Sequence, residues 1–258
     1  MNRRNIILSR KLRIILSVIL LFSVFLAGCS DIGEIEPKTT EEIKDQGFFF
    51  KYFVYPISFS LDWFADNFIN SYGISILVLT IIIRFVLLPL NLKQARSTKA
   101  MQKIQPDIQK VREKYKNDPR KMQEETMKLF QKHGVNPMGG CLPLLIQMPI
   151  LFALYYAIMW NVEIREATFL WMQLGEPDPY YILPILAALT TYLQQKVMMS
   201  MQPSAMKNNP MQVVFMILPI VIFIMAINFP SALPLYWVYS NIFTIIQTYF
   251  IYGRPEKE

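Results

Sequence analysis

The sequence predicts an all-α integral membrane protein: five transmembrane helices, a cytoplasmic helical hairpin between the first two, and an N-terminal interfacial helix. Three observations predict it. Of 258 residues, 53% are hydrophobic and 17% charged, against about 25% charged in soluble proteins. Apolar runs close to the ~20 residues that cross a bilayer recur five times after Ser71. Twelve Lys and Arg crowd into one segment, Lys93–Gly134, while the other connections hold almost none. The same figures exclude a disordered or disulfide-rich chain. One histidine, His133, and two distant cysteines, Cys29 and Cys141, exclude a Cys/His metal cage, so neither a metal nor another cofactor is expected.

Residues 1–28 read as a lipoprotein signal peptide. Arg3, Arg4, Arg10, Lys11 and Arg13 precede the apolar run Ile14–Leu26, which is short for a span and leads into small residues. Leu26-Ala27-Gly28-Cys29 resembles the lipobox of bacterial lipoproteins, which implies lipid attachment at Cys29 and cleavage before it. An uncleaved transmembrane helix with an incidental cysteine is the competing reading. Acyl chains on Cys29 would anchor the N-terminus on the outer face. Without those five cations the formal charge of +7 falls to +2, so sequence-specific nucleic-acid binding is not expected. Residues 29–47 are polar and acidic and read as a flexible external tether. In the stretch 48–71, Ile57, Leu61, Phe64 and Phe68 recur at helical spacing beside Asp62 and Asp66. That pattern suits an amphipathic helix lying in the interface, or a short packed surface helix.

The five-span core covers residues 72–252, with spans at Tyr72–Leu92, Val135–Trp160, Tyr181–Met201, Met211–Asn228 and Ala232–Tyr252. Asn161–Pro179 carries Arg165 against Glu163, Glu166, Glu176 and Asp178, whereas Gln202–Pro210 carries Lys207 and no acid. The positive-inside rule then places the basic segment in the cytoplasm, the acidic loop outside and the tail 253–258 inside. Within 93–134, Met101, Ile104, Ile108, Val111 and Tyr115, then Met122, Thr126 and Leu129, mark two helices around Asn117-Asp118-Pro119. A break is expected at Pro106. The cationic faces of this hairpin suit lipid head groups, ribosomal RNA or a protein. A solvated hairpin that merely obeys the charge rule fits the same residues.

Arg84 stands out as an ionisable residue in a span interior, nine residues before Lys93 and so ~13 Å from that end. A central Arg costs at least ~2.5–3.5 kcal/mol in a bilayer. Guanidinium does not shed its proton. The spans offer no Asp or Glu partner, so a wet cavity is the simplest solution, with snorkelling to the interface as the alternative. Thr80, Gln147, Trp237, Ser240, Asn241, Thr244 and one of Gln194 or Gln195 could line that cavity or act as interhelical glue. No His or carboxylate lies in the spans to serve as a catalytic base, and there is no phosphate-binding loop, so an enzyme is not expected. What remains is a passive device that shortens the dry path for a polypeptide's polar flank. A solute transporter or anion channel shares the positive cavity, and a lipoprotein scaffold holding the hairpin is a third reading.

Longer strings add a resemblance. Phe130-Gln131-Lys132-His133-Gly134-Val135-Asn136-Pro137, Gly139-Gly140-Cys141-Leu142-Pro143, Gln147-Met148-Pro149-Ile150, Asp178-Pro179-Tyr180-Tyr181-Ile182-Leu183-Pro184, Asn228-Phe229-Pro230-Ser231, Leu235-Tyr236-Trp237 and Ser240-Asn241 resemble, in order, the YidC family of membrane protein insertases. The resemblance runs from about Phe48 to the C-terminus. It implies a five-span insertase core of the Gram-positive lipoprotein type. It also implies a hydrated groove open to the cytoplasm and bilayer, with Arg84 as its arginine and Thr80, Gln195 and Trp237 lining it. The implied partners are nascent membrane proteins, the Sec translocon, the ribosome and membrane lipids. The implied location is the plasma membrane. Relatives with ribosome contacts through a long basic tail differ from this chain, whose tail holds only Arg254 and Lys257.

Overall fold

The computed structural model describes residues 38–135, 142–201 and 211–253. The signal peptide, Cys29, most of the tether, Cys141, Lys207 and the last five residues lie outside the described residues. The chain is helical apart from one two-stranded hairpin.

The described part begins with α1 (Thr40–Ile43), capped by Thr39, whose hydroxyl accepts from the Glu42 amide while Glu42 accepts from the Thr39 amide. A 3₁₀ turn over Lys44–Gln46 ends at Gly47, whose φ of 125° suits a residue without a Cβ. A longer helical stretch follows. Its π-type turn Phe50–Val54 leads into α2 (Tyr55–Phe64) and a second π-type turn, Ala65–Ile69, stopped by Asn70 in the left-handed region. The main bundle comprises α3 (Tyr72–Val86), α6 (Leu142–Trp160), α8 (Ile182–Met201), α9 (Met211–Asn228) and α10 (Ala232–Tyr252). Between α3 and α6 lie α4 (Leu88–Lys114) and α5 (Pro119–Lys132). Between α6 and α8 lie α7 (Val162–Glu166) and the hairpin of β1 (Thr168–Phe169) and β2 (Met172–Gln173), paired Thr168 with Gln173 and Phe169 with Met172.

Four expectations change. The first run, Tyr72–Leu92, is not one straight helix: it breaks at Leu87, and α3 and α4 meet at a 56° bend. Pro89 explains the position, because it has no N–H to continue the ladder. Pro106, by contrast, does not break α4. Its ring is exposed, and the flanking Ile104 and Ile108 are buried with Val135 against Leu129 and Phe130 of the hairpin. Packing on both sides holds the helix through the missing bond. In the second run Val135 belongs to the hairpin core, and the described helix is Leu142–Trp160. Finally, residues 38–46 are docked rather than a loose tether. Ile43, an isolated apolar side chain in a polar stretch, is fully buried with Val54, Ala153 and Ala157. The Lys38 amide donates to the Trp160 carbonyl at 2.7 Å, and its ammonium sits 4.8 Å from the Trp160 ring centre. The stripe expected on residues 48–71 divides likewise: Leu61 is buried in the main core, whereas Phe68 is exposed.

A polar hub fixes this corner. Asn161 Nδ2 lies 3.0 Å from Thr40 Oγ1, Ser58 Oγ and Asp62 Oδ1, and its Oδ1 accepts from the Glu163 and Ile164 amides to cap α7. Thr40 donates to Asp62 at 2.5 Å, and the Tyr72 hydroxyl lies 3.1 Å from Asp62 and 3.0 Å from Glu163.

The main core joins Leu61, Ile76, Leu154, Ile158, Leu233 and Tyr236 across α2, α3, α6 and α10. Ala187, Ala226 and Ala232, all without exposed area, let α8, α9 and α10 approach closely. Among the described residues no single helix is long and apolar enough to cross a membrane. The bent pair α3–α4 passes that test together, and Gln147–Trp160 and Met216–Asn228 are shorter apolar helices.

The β-hairpin closes over the start of α3. A Cβ on Gly73 would fall 2.2 Å from the Phe169 ring. Gly73→Ala should therefore displace the hairpin and cost about 1–3 kcal/mol. A thermal melt of the purified variant checks this, and an unchanged midpoint would count against the packing described.

Candidate functional site

Arg84 sits in the last turn of α3, two residues before the helix ends. The break at Leu87 lies between Arg84 and Lys93, so no single straight helix joins the two. The position has an electrostatic logic, since the negative end of a helix dipole favours a cation by ~0.3–1 kcal/mol. The side chain is half-buried, and its Nη2 donates to Ser240 Oγ on α10. Guanidinium carries five N–H donors, and a serine oxygen meets one of them. Among the described residues the carboxylate ion pairs lie on the hairpin, at Asp107–Lys110 and Lys128 with Glu124 and Glu125, and none involves Arg84. The charge is therefore held by neutral groups, with burial working against it.

Other expected residues divide between this cluster and a second one. Thr80, one turn before Arg84, is buried and donates to the Ile76 carbonyl at 2.6 Å. It lines a cavity of about 10 Å³ with Ile57, Ile76, Ile83, Ile150 and Tyr236, room for about one water. Gln147 on α6 donates to the Tyr236 hydroxyl at 2.6 Å. Thus α3, α6 and α10 bring Arg84, Thr80, Gln147 and Ser240 around Tyr236. Tyr236 is the residue here that the sequence pattern marks least. The available signal was its place one turn before Ser240 on the same face of α10.

Asn241 is a correction. It does not face Arg84 but turns to α8, where its amide donates to Thr190 at 3.0 Å and Thr191 at 2.9 Å. Gln195 is also buried, in contrast to the more accessible Gln194, and its Nε2 has no partner among the described residues. Trp237 stacks on Phe229 with centroids 6.3 Å apart. Asn241 with Thr190 and Thr191 makes an interhelical polar contact, the use of such side chains that the sequence left open. Lys196 is a second cation within an expected span, Tyr181–Met201. It lies near the end of α8 and is exposed.

The comparison with known proteins is decisive at family level. Residues 63–258 match the family described as 60Kd inner membrane protein. The chain belongs to that family. The resemblance to the YidC insertases is borne out as well. The chain is similar to membrane protein insertase YidC 2 of Bacillus anthracis, 49% identical over 255 residues that make up 97% of this chain and 96% of the relative. It is equally similar to membrane protein insertase MisCA of Bacillus subtilis, 49% identical over 256 residues, 98% of this chain and 95% of the other. A solved structure of an active YidC insertase, with its first transmembrane domain resolved, superposes with a TM-score of 0.60 at 25% identity. It covers 89% of this chain, and the match spans half of that longer chain. As a member of this family the chain is a membrane-integral protein. The family match begins at Trp63, so the hub residues Thr40, Ser58 and Asp62 precede it.

Proposed function

We propose that this protein is a membrane protein insertase and folding chaperone, acting without catalysis on newly made membrane proteins. The observation that carries the reading is Arg84, a half-buried cation held by the neutral Ser240 with no carboxylate partner among the described residues. The names of the near-full-length relatives support it. In this reading α3, α6, α8, α9 and α10 are five spans, the hairpin α4–α5 and the tail are cytoplasmic, and the acidic loop is outside. Residues 48–71 lie at the outer interface, and Cys29 carries the lipid. The groove around Arg84 is hydrated and open to the cytoplasm and bilayer, with Thr80, Gln147 and Ser240 along it.

The energetics are consistent with a passive device. An incoming apolar helix gains ~0.8 kcal/mol per buried CH₂ on partitioning. The barrier is its polar flank, and a charged, wet recess shortens the dry path that flank crosses. Arg84 can hold a carboxylate bidentately. The membrane potential adds ~2.3 kcal/mol per charge per 100 mV in the outward direction for an acidic tail. The basic hairpin suits first contact with the ribosome, lipid head groups or the Sec translocon.

Thiol labelling of single-cysteine variants at the partly accessible Ile83 and Gln147 in oriented vesicles tests the groove. Impermeant reagents should reach these sites from the cytoplasmic side only. Equal labelling from outside, or none from either side, would refute a one-sided wet groove.

A further inference from the structure

The turn of the β-hairpin is built against local preference. Two-residue hairpin turns with a positive φ ordinarily place Gly, Asn or Asp there. Here the residue is Leu170, with φ 57°. A β-hairpin gains nothing internally from this choice, because the Leu170 side chain is 71% exposed. Tyr181 repeats the pattern: φ is again 57°, and the ring is exposed. Two bulky residues held in a disfavoured conformation with their apolar surface outward point to something outside the fold that covers them.

One buried carboxylate brings these residues together. Asp178 accepts from Trp171 Nε1 and the Tyr180 amide at 3.0 Å through Oδ1, and from the Leu183 amide at 2.6 Å through Oδ2. It thereby ties the hairpin tip to the start of α8. The polar edge of Trp171 is turned inward and satisfied, leaving the rest of the ring available. From Tyr181 the apolar surface continues down α8 through Ile182, Ile185, Leu189 and Tyr192, an exposed stripe at helical spacing that ends at Lys196. In a membrane-integral protein such a stripe faces lipid, and Trp and Tyr concentrate where that face meets the head groups.

We propose that Leu170, Trp171, Tyr180 and Tyr181 form a lipid-contacting patch that seats the acidic loop's hairpin in the head-group boundary. The occupant is the bilayer, because the patch is continuous with the lipid face of α8 and its one included carboxylate, Asp178, is buried. Its placement in the outer leaflet rests on the orientation given under the proposed function.

Spin-labelled Leu170→Cys and Tyr180→Cys, in full-length Cys141→Ser protein in phosphatidylglycerol–phosphatidylethanolamine vesicles, test this, with label on the Cys141→Ser parent as baseline. Collision with oxygen relative to an aqueous nickel complex should be several-fold higher at both sites than at Glu166→Cys. Ratios equal to that of Glu166→Cys would overturn the patch. Impermeant maleimide applied to right-side-out vesicles reports the orientation separately. If it fails to reach Glu166→Cys, the outer placement falls while a high oxygen ratio still upholds the lipid contact.

Discussion

Arg84→Glu should abolish insertion of a small substrate that carries an acidic external tail, and Arg84→Ala should slow it about 10–100-fold. The size follows from the loss of one charge-assisted hydrogen-bonding site, about 1.5–3 kcal/mol. Arg84→Lys should keep much of the activity, since charge and hydration survive while the planar fork is lost. Stability should move the other way. Arg84 is half-buried with Ser240 as its partner, so Arg84→Leu removes a charge that burial disfavours and should raise the melting midpoint. A variant that is more stable and less active is the signature of a residue kept for function. Insertion into vesicles and a thermal melt on the same preparations check both halves. Unchanged insertion with Arg84→Glu would remove the charge from the mechanism.

The largest loss of stability is expected from Asn161→Ala. That side chain caps α7, worth about 1 kcal/mol, and donates into a buried hub that contains a carboxylate, worth about 2 kcal/mol more. A total of about 3 kcal/mol corresponds to a fall of roughly 6–12 °C in midpoint. The loss should also depend on pH. Burial holds the Asp62 carboxyl above the usual carboxylate range. Hydrogen bonds from Thr40, Tyr72 and Asn161 oppose the rise, and nearby Glu163 adds to it. With a raised folded-state value, the contribution to stability is complete below the unfolded value of ~3.9 and is lost as pH climbs through the folded one. The ionised carboxylate therefore depends most on its donors at neutral pH. Asn161→Ala should cost more at pH 7 than near pH 4, and Asp62→Asn should flatten the wild-type profile. Melts across that range decide it. An Asn161→Ala loss that is the same at every pH would show that the amide acts only as a cap.

Much of the fold was legible because periodicity and punctuation are local. The runs at Met211–Asn228 and Ala232–Tyr252 coincide with α9 and α10, and Asp118-Pro119 opens α5 as a cap followed by proline should. Two prolines show where such reading stops. Pro89 and Pro106 are chemically alike, yet one accompanies a 56° bend and the other sits inside an unbroken helix. What separates them is the packing of Ile104 and Ile108, contacts made between residues far apart in the chain. Ile43 was hidden for a similar reason. Its neighbours are polar, and its burial depends on Ala153 and Ala157, more than a hundred positions away.

The candidate site divides in the same way. Composition and the lone arginine in an apolar run were enough to assign a membrane protein with a cation needing company, because a charge set within a long apolar run is costly in hydrocarbon whatever it later packs against. Which polar side chains keep it company depends on helix rotation and crossing, and no single-helix pattern encodes those. Ser240 and Asn241 are adjacent in sequence and about 100° apart around α10, so one meets Arg84 and the other meets Thr190 and Thr191. The chain's own residues thus set how many helices form and what chemistry they carry. Packing of α3, α6, α8 and α10 against one another set which of those groups meet, because only there do apolar burial and hydrogen-bond satisfaction act on distant residues together.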